Sequence, residues 1–323
     1  MTDFLVILRK DVEEHLSGLN LPDHPANLYE PIRYMLDLGG KRVRPILALL
    51  ACELMGKDRS VAIDQALAVE IFHNFTLVHD DVMDSADLRR KVPTVHKKWN
   101  QNIALLSGDG MLVVAYQKLW NAPNDKLRRL GEVFSKVALK VCEGQQLDMD
   151  FASRSDVSLE EYLEMIRLKT AVLLGASMQL GAIMADAGDD DINNLDVFAM
   201  NLGMAFQIRD DYLDSFGNQE QFGKQIGGDI REGKRTWLTI KAFELANESQ
   251  LNMLTKAFQN EDQDQRIKEV IEVYVALGID KMAQASIVDY SSRSIAALNK
   301  VNGEKQTKKR LEELVAYLIG RQS

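Results

Sequence analysis

Proline is missing from the whole chain beyond residue 123: all six, Pro22, Pro25, Pro31, Pro45, Pro93 and Pro123, come earlier. Helix interiors exclude proline because it lacks an N–H and clashes with the preceding turn. Long alternating strands are absent too, whereas helical periodicity recurs. Residues 61–84 carry Val61, Ala66, Val69, His73, Leu77, Asp80 and Asp84 at mostly three- and four-residue steps. Residues 195–214 repeat this with Leu195, Phe198, Leu202, Phe206, Asp210 and Asp214. These patterns predict an all-α fold of ten or more helices. Cysteine is scarce: Cys52 and Cys142, each among apolar neighbours, cannot form a disulfide framework. That suits a reducing cytoplasm. Basic residues are outnumbered, 39 to 48, giving a net charge of −9, which argues against broad nucleic-acid binding. No apolar run approaches the roughly 20 residues of a membrane span. The N-terminal apolar stretch is too short, and too acidic downstream, for a signal peptide. With 46% hydrophobic and 27% charged residues, the composition is that of a globular protein with ample core, not of a disordered or fibrous one.

No Pro/Ser-rich linker or composition shift divides the chain, so a single domain over 1–323 is expected. Five glycines between Gly217 and Gly233, among charged residues, read as a mobile loop between helices. One long-range echo stands out. Asp80-Asp81-Val82-Met83-Asp84 and Asp210-Asp211-Tyr212-Leu213-Asp214 share the form D-D-x-x-D. On a helix, i and i+4 project side by side, and like charges there are destabilising unless neutralised. A C-terminal helix dipole makes them worse. One such triad reads as easily as a solvated acidic face; two copies, each continuing an apolar stripe, point to metal. Hard carboxylates without histidine or cysteine suit magnesium, normally shared with substrate phosphates. Two such triads could hold a metal-bridged diphosphate.

Three basic clusters could meet phosphate: Lys41, Arg42 and Arg44 after Gly39-Gly40, then Arg89-Arg90-Lys91, then Lys224 to Lys234. Each alone would read as solvated surface, but all accompany acidic triads in a net-acidic chain. His73 lies two turns before Asp80 on one face, about 10.5 Å away, and is a candidate ligand contact as well as a candidate core histidine. Two decoys fail. Gly228-Asp-Ile-Arg-Glu-Gly233-Lys234 nears a P-loop, but Arg235 replaces the magnesium-binding hydroxyl and no strand precedes it. Glu70-x-x-His73 matches a di-iron ligand pair, but such bundles need two.

The ordered set resembles the trans-isoprenyl diphosphate synthase (polyprenyl synthetase) family from about Tyr34 to Thr236. It comprises Gly-Gly-Lys-Arg-Val-Arg-Pro (39–45), Leu77-Val-His-Asp-Asp-Val-Met-Asp84, Arg89-Arg90, Gly144-Gln145, Lys169-Thr170, Phe206-Gln-Ile-Arg-Asp-Asp-Tyr-Leu-Asp214, and Gly223-Lys224 through Gly233-Lys234. A departure is Lys91, where the family usually has glycine. The resemblance implies an all-α fold around a central cavity, usually a homodimer, and three magnesium ions. By position, Asp80 and Asp84 match metal ligands with Asp81 in support; Asp210 matches the principal ligand of the second triad, with Asp211 and Asp214 behind it. Arg89, Lys169 and Lys224 match residues that hold the allylic diphosphate. Lys41, Arg44, His73 and Arg90 match those that hold isopentenyl diphosphate. Lys234 matches a residue reaching the allylic phosphates on closure.

The implied reaction is head-to-tail condensation. Metal-assisted ionisation gives an allylic cation, the isopentenyl double bond attacks, and a proton leaves, plausibly to the departing diphosphate. Oxygens of Thr170, Gln207 and the Lys169 carbonyl would stabilise the cation, and closure of the 217–233 loop would exclude water. Five positions before Asp80 stands the bulky Phe75, then the small Thr76, with Phe72 and Ile71 further up and no insertion in the triad. In the family this pattern resembles geranylgeranyl diphosphate synthases; a farnesyl product is the alternative. A class I terpene cyclase would carry an Asn/Ser/Glu motif in place of the second triad. A non-catalytic subunit would usually lose part of one. Neither departure is present.

Overall fold

The computed structural model describes residues 3–217 and 226–320. It is helical almost throughout, as proline placement and periodicity predict. Among the described residues there are sixteen α-helices: α1 (Asp3–Ser17), α2 (Ala26–Asp37), α3 (Val43–Leu54), α4 (Ile63–Met83), α5 (Val95–Lys98), α6 (Gln101–Leu119), α7 (Asn124–Phe151), α8 (Leu159–Ile166), α9 (Val172–Met184), α10 (Asp189–Phe216), α11 (Gly228–Glu232), α12 (Trp237–Leu245), α13 (Glu248–Gln259), α14 (Gln263–Leu277), α15 (Ile279–Lys300) and α16 (Lys305–Ile319). A short 3₁₀ turn, Arg59–Ala62, leads into α4, and a π-helical turn, Arg167–Ala171, joins α8 to α9. Helix starts follow local chemistry. The side chain of Asn100 accepts from the Ile103 amide, and Ser158 and Glu161 form a reciprocal capping box.

The chain divides into two compact units, Met1–Ser135 with Ala176–Asp196 and Lys300–Leu314, and Lys136–Gly175 with Val197–Asn299 and Val315–Ser323. In the first, α4 packs against α3 and α6 over a core that includes Leu47, Leu50, Val69 and Phe72. Close approach is made by small residues. A Cβ on Gly181 would lie 1.9 Å from the Ala48 carbonyl oxygen, and one on Gly108 would strike the His79 ring. The stretch Arg59–Met83 is, by length and composition, able to cross a membrane, with mean hydropathy 1.2, but 67% of that window is buried in the protein. Reading apolar runs alone missed it, because polar residues are scattered along it; a core helix covered on most sides is apolar on most sides. The second unit has its own core, in which Phe151, Tyr162, Ile208, Trp237 and Tyr274 take part.

Candidate active site

The first triad occupies the last turn of α4, and its three aspartates face differently. Asp80 is half-buried and Asp84, the residue capping the helix, is exposed. Asp81, one residue and about 100° round the helix from Asp80, is only 2% exposed. Arg89 grips it through Nε at 2.8 and 3.0 Å and Nη2 at 2.7 Å. Such a two-nitrogen fork is among the stronger ion-pair geometries. Arg89 reaches Asp81 from a two-stranded hairpin, Leu88–Arg89 against Val92–Pro93. The two linking residues, Arg90 at φ 52° and Lys91 at φ 69°, have the left-handed backbone of a primed hairpin turn. Lys91, the departure noted in the sequence, therefore stands where glycine carries no steric cost.

The glycine-rich segment before α3 is bent by three left-handed residues, Gly39 (φ 74°), Gly40 (φ 145°) and Arg42 (φ 51°). Gly40 supplies backbone freedom and lies against the hairpin. A Cβ there would sit 2.9 Å from Arg90 Nη2, so this loop and the hairpin touch. Lys41 is exposed on the same loop. Burial lowers the Arg44 guanidinium to about 10, with Glu70 opposing the fall. His73 is held well below its usual range, first by burial and then by Arg44, Arg90, Arg89 and Arg42. It is therefore a neutral imidazole amid four guanidinium groups. Arg44, His73 and Arg90, separate in sequence, thus share one positive region, and Lys41 lies on the loop that leads to Arg44. Arg42, noted in the sequence as one of a basic cluster, and Asn74, not noted there, both bond Glu70. Arg42 is buried and donates from Nη1 to Glu70 Oε1 and from Nη2 to the Leu36 carbonyl, each at 2.6 Å. Asn74 Nδ2 bonds the same carboxylate at 3.1 Å. Glu70, a decoy as half of a metal pair, is the counter-ion of this cluster.

In the second unit, Lys169 and Thr170 lie in the π-helical turn, a backbone form found often at functional sites. Two glycines border it. A Cβ on Gly144 would lie 2.3 Å from the Lys169 amide nitrogen, and one on Gly203 would lie 2.7 Å from Ala171 Cα. Lys169 Nζ meets Asp148 Oδ2 at 2.6 Å. Thr170 Oγ1 donates to Gln207 Oε1 at 3.3 Å, and Gln207 Nε2 donates to Asp211 Oδ1 at 3.3 Å. The other Asp211 oxygen accepts from the Tyr162 hydroxyl at 2.5 Å and the Trp237 amide at 3.1 Å. Burial raises Asp211 to about 7, against those hydrogen bonds, and pushes Tyr162 far up. Asp210 and Asp214 are half-buried. Asp214 Oδ2 accepts from the Asp229 amide at 3.0 Å, at the start of α11. Lys234 pairs with Glu232 at 2.7 Å and lies 3.7 Å from Asp229. Lys224 lies outside the described residues.

A family model described as polyprenyl synthetase matches residues 25–274. The chain belongs to the polyprenyl synthetase family. A geranylgeranyl pyrophosphate synthase of Geoglobus acetivorans is 37% identical over 321 residues, covering 97% of this chain and 96% of its own. A crystal structure of a geranylgeranyl pyrophosphate synthase superposes with a TM-score of 0.95 at 43% identity, covering both chains completely. Another, from Corynebacterium glutamicum and complexed with isoprenyl diphosphate and magnesium, has a TM-score of 0.86 at 27% identity and covers 99% of each chain.

In each unit of this polyprenyl synthetase the aspartates have the donor chemistry that suits magnesium. Asp80, Asp84, Asp210 and Asp214 offer hard oxygens on surfaces that water reaches, with no soft ligand among them. Among the described residues no three His, Cys, Asp or Glu side chains gather as a ready-made metal cage. On the same helix, Phe75 packs against Phe72 (centroids 5.5 Å apart) and His79 (4.7 Å), and Phe72 against Phe134 (5.4 Å). Thr76 donates its hydroxyl to the His73 carbonyl at 2.8 Å, which removes it as a free polar group.

Proposed function

We propose that this prenyltransferase condenses isopentenyl diphosphate with an allylic prenyl diphosphate and releases geranylgeranyl diphosphate, a farnesyl product being the second reading. The observation that carries the reading is the division of labour in the first triad. Asp80 is half-buried and Asp84 exposed, while the aspartate between them is buried on Arg89. Asp80, Asp84 and Asp210, with Asp211 and Asp214 in support, would hold three magnesium ions. Bound there, the ions supply charge neutralisation for the leaving diphosphate. Lys169, Lys224, Lys234 and Arg89 take the allylic diphosphate. Lys41, Arg44, His73 and Arg90 take isopentenyl diphosphate, where a neutral imidazole can donate to a phosphate oxygen without adding to the repulsion among the arginines. The Thr170 and Gln207 oxygens face the developing allylic cation as fixed dipoles that need no reorganisation. Phe75 sets the depth reached by the growing tail, with Phe72 behind it. We read residues 1–323 as one polyprenyl synthetase-like domain acting in the cytoplasm.

A second copy of the chain completes the assembly. α6 exposes Leu106 (61%) and Val113 (58%), and Trp120 (51%) at its C-terminal cap continues the seven-residue spacing. A helix apolar on both faces is normally covered on both, so we assign this stripe to a homodimer contact.

The experiment is incubation with isopentenyl diphosphate, magnesium and each allylic primer in turn, with the prenyl chains identified by mass. A twenty-carbon product supports the whole reading, and a fifteen-carbon product moves the floor of the tube. Absence of condensation with every primer would refute the function.

A further inference from the structure

Glu70 has no place among the groups that would touch substrate, yet it is the centre of the basic region. It is 3% exposed and stands on α4 one turn before His73 and Asn74. One of its oxygens, Oε1, accepts from Arg42 Nη1 at 2.6 Å and from Asn74 Nδ2 at 3.1 Å. The Asn74 amide also bonds the Glu70 carbonyl at 2.8 Å, which fixes its direction. Arg42 is clamped at its other end by the Leu36 carbonyl at 2.6 Å. This arginine starts α3 from a left-handed backbone, φ 51°, a conformation that costs a non-glycine residue energy and persists only when its surroundings enforce it. It lies between Lys41 and Arg44, on the loop whose Gly40 meets the Arg90 guanidinium. Four guanidinium groups near one histidine repel one another, and Asp81 already serves Arg89.

We propose that Glu70 is a positioning residue for isopentenyl diphosphate: acting through Arg42, it holds the 39–44 loop in the form that presents Lys41 and Arg44 to the diphosphate beside His73 and Arg90. The inference rests on the assignment of those four residues to isopentenyl diphosphate. It separates cleanly from a plain charge effect, because the two have opposite signs. Removing a negative charge near an anion site should, by Coulomb attraction alone, tighten diphosphate binding. Releasing Arg42, and with it the loop, should weaken it.

The test compares Glu70→Leu and Glu70→Gln with the wild-type chain, measuring KM for isopentenyl diphosphate, KM for the allylic primer and kcat. Loss of a charge-assisted hydrogen bond corresponds to about tenfold or more in affinity, so Glu70→Leu should raise the isopentenyl diphosphate KM by about that factor. The allylic KM and saturated kcat should stay at wild-type values. Glu70→Gln keeps an acceptor for Arg42 and should recover most of the loss. A folded leucine variant with unchanged or lowered isopentenyl diphosphate KM overturns the inference, as does an equal rise in both KM values. Should the leucine variant fail to fold, Arg42→Lys replaces it. A lysine cannot hold Glu70 and the Leu36 carbonyl with one planar fork, so the same selective rise is expected, and its absence overturns the inference. If wild-type protein condenses nothing, the proposed function has failed on its own. Calorimetric titration of isopentenyl diphosphate into wild type and Glu70→Leu then decides the positioning role by the same tenfold criterion.

Discussion

Replacing Gly144 by alanine would place a methyl carbon 2.3 Å from the Lys169 amide nitrogen and 2.7 Å from Leu168 C and Lys169 Cα. All three atoms are backbone, so no side chain can swing aside. Ordinary contact begins near 3.4 Å, and the π-helical turn must therefore yield by about 1.1 Å, the difference between 3.4 and 2.3 Å. Overpacking of this kind costs about 1–3 kcal/mol of stability, a fall of a few degrees in Tm for a chain of this size. Misplacement of positioning groups by about 1 Å can cost about 100-fold in rate, and this turn carries Lys169 and Thr170. We expect Gly144→Ala to remain folded at 25 °C and to lose about 100-fold in kcat for condensation. Gly203→Ala presses the same turn from α10, 2.7 Å from Ala171 Cα, and should act alike. Gly188→Ala is the control, since a Cβ there meets nothing within 4 Å and the residue needs no left-handed backbone. Product formation, Tm and circular dichroism measured together distinguish loss of fold from loss of geometry. A folded Gly144→Ala enzyme with wild-type kcat would refute the idea that this turn positions the chemistry.

Asp80→Ala should abolish turnover with Tm within a few degrees of wild type, because its side chain is not a core group; near-normal activity would sink the metal assignment. Phe75→Ala removes the ring between Phe72 and His79 and should lengthen the product, read by mass; an unchanged chain length removes Phe75 as the floor. Val113→Glu places a charge in the exposed stripe of α6 and should shift the chain from dimer to monomer in sedimentation. Unaltered dimers would move the interface elsewhere. Hydrogen bonds from the Ser158 amide, Arg154 and the Ser158 hydroxyl hold Glu161 at about 2, below its ordinary 4.5. A carboxyl lowered on folding stabilises the protein above its unfolded pKa, and that contribution disappears as pH falls through the folded value. The Tm difference between wild type and Glu161→Gln should thus be complete above pH 4.5 and vanish near pH 2. A difference that persists at pH 2 would show that the capping carboxylate does not act through its charge.

The sequence reads most clearly where a single element carries the information. Helical period and missing proline foretold the all-α fold, and the D-D-x-x-D spacing drew attention to Asp80 and Asp84 at the end of one helix. By resemblance Asp81 and Asp211 stand beside the principal ligand positions; the structure buries both, Asp81 on Arg89 and Asp211 on Tyr162. What sequence could not supply was partnership at a distance. Arg42 meets Glu70 28 residues away, and Tyr162 meets Asp211 49 residues away; neither spacing has a period to detect. The π-helical turn was likewise hidden, because the sequence Arg-Leu-Lys-Thr-Ala is compatible with an ordinary helix. Its only advance signal was indirect, in Gly144 and Gly203, whose small size acquires meaning once the crossing backbone is seen. The span-like composition of α4 goes with its burial inside the protein, since burial by protein and burial by lipid select similar residues.

The ion pair between Asp81 and Arg89 bears on how the first triad could be moved into another protein. A segment ending at Asp84 would transplant Asp80 and Asp84, yet it would bury Asp81 without a counter-ion, a defect of about 3–5 kcal/mol. Extending the segment through the hairpin to Thr94 brings Arg89, the turn that aims it, and the Thr94 hydroxyl that ties the hairpin's end to the Ala86 carbonyl at 2.8 Å. The smallest portable version of this acidic triad is therefore a helix together with the hairpin behind it. Lineages that exchange or recombine this region should keep residues 63–94 on one piece of chain.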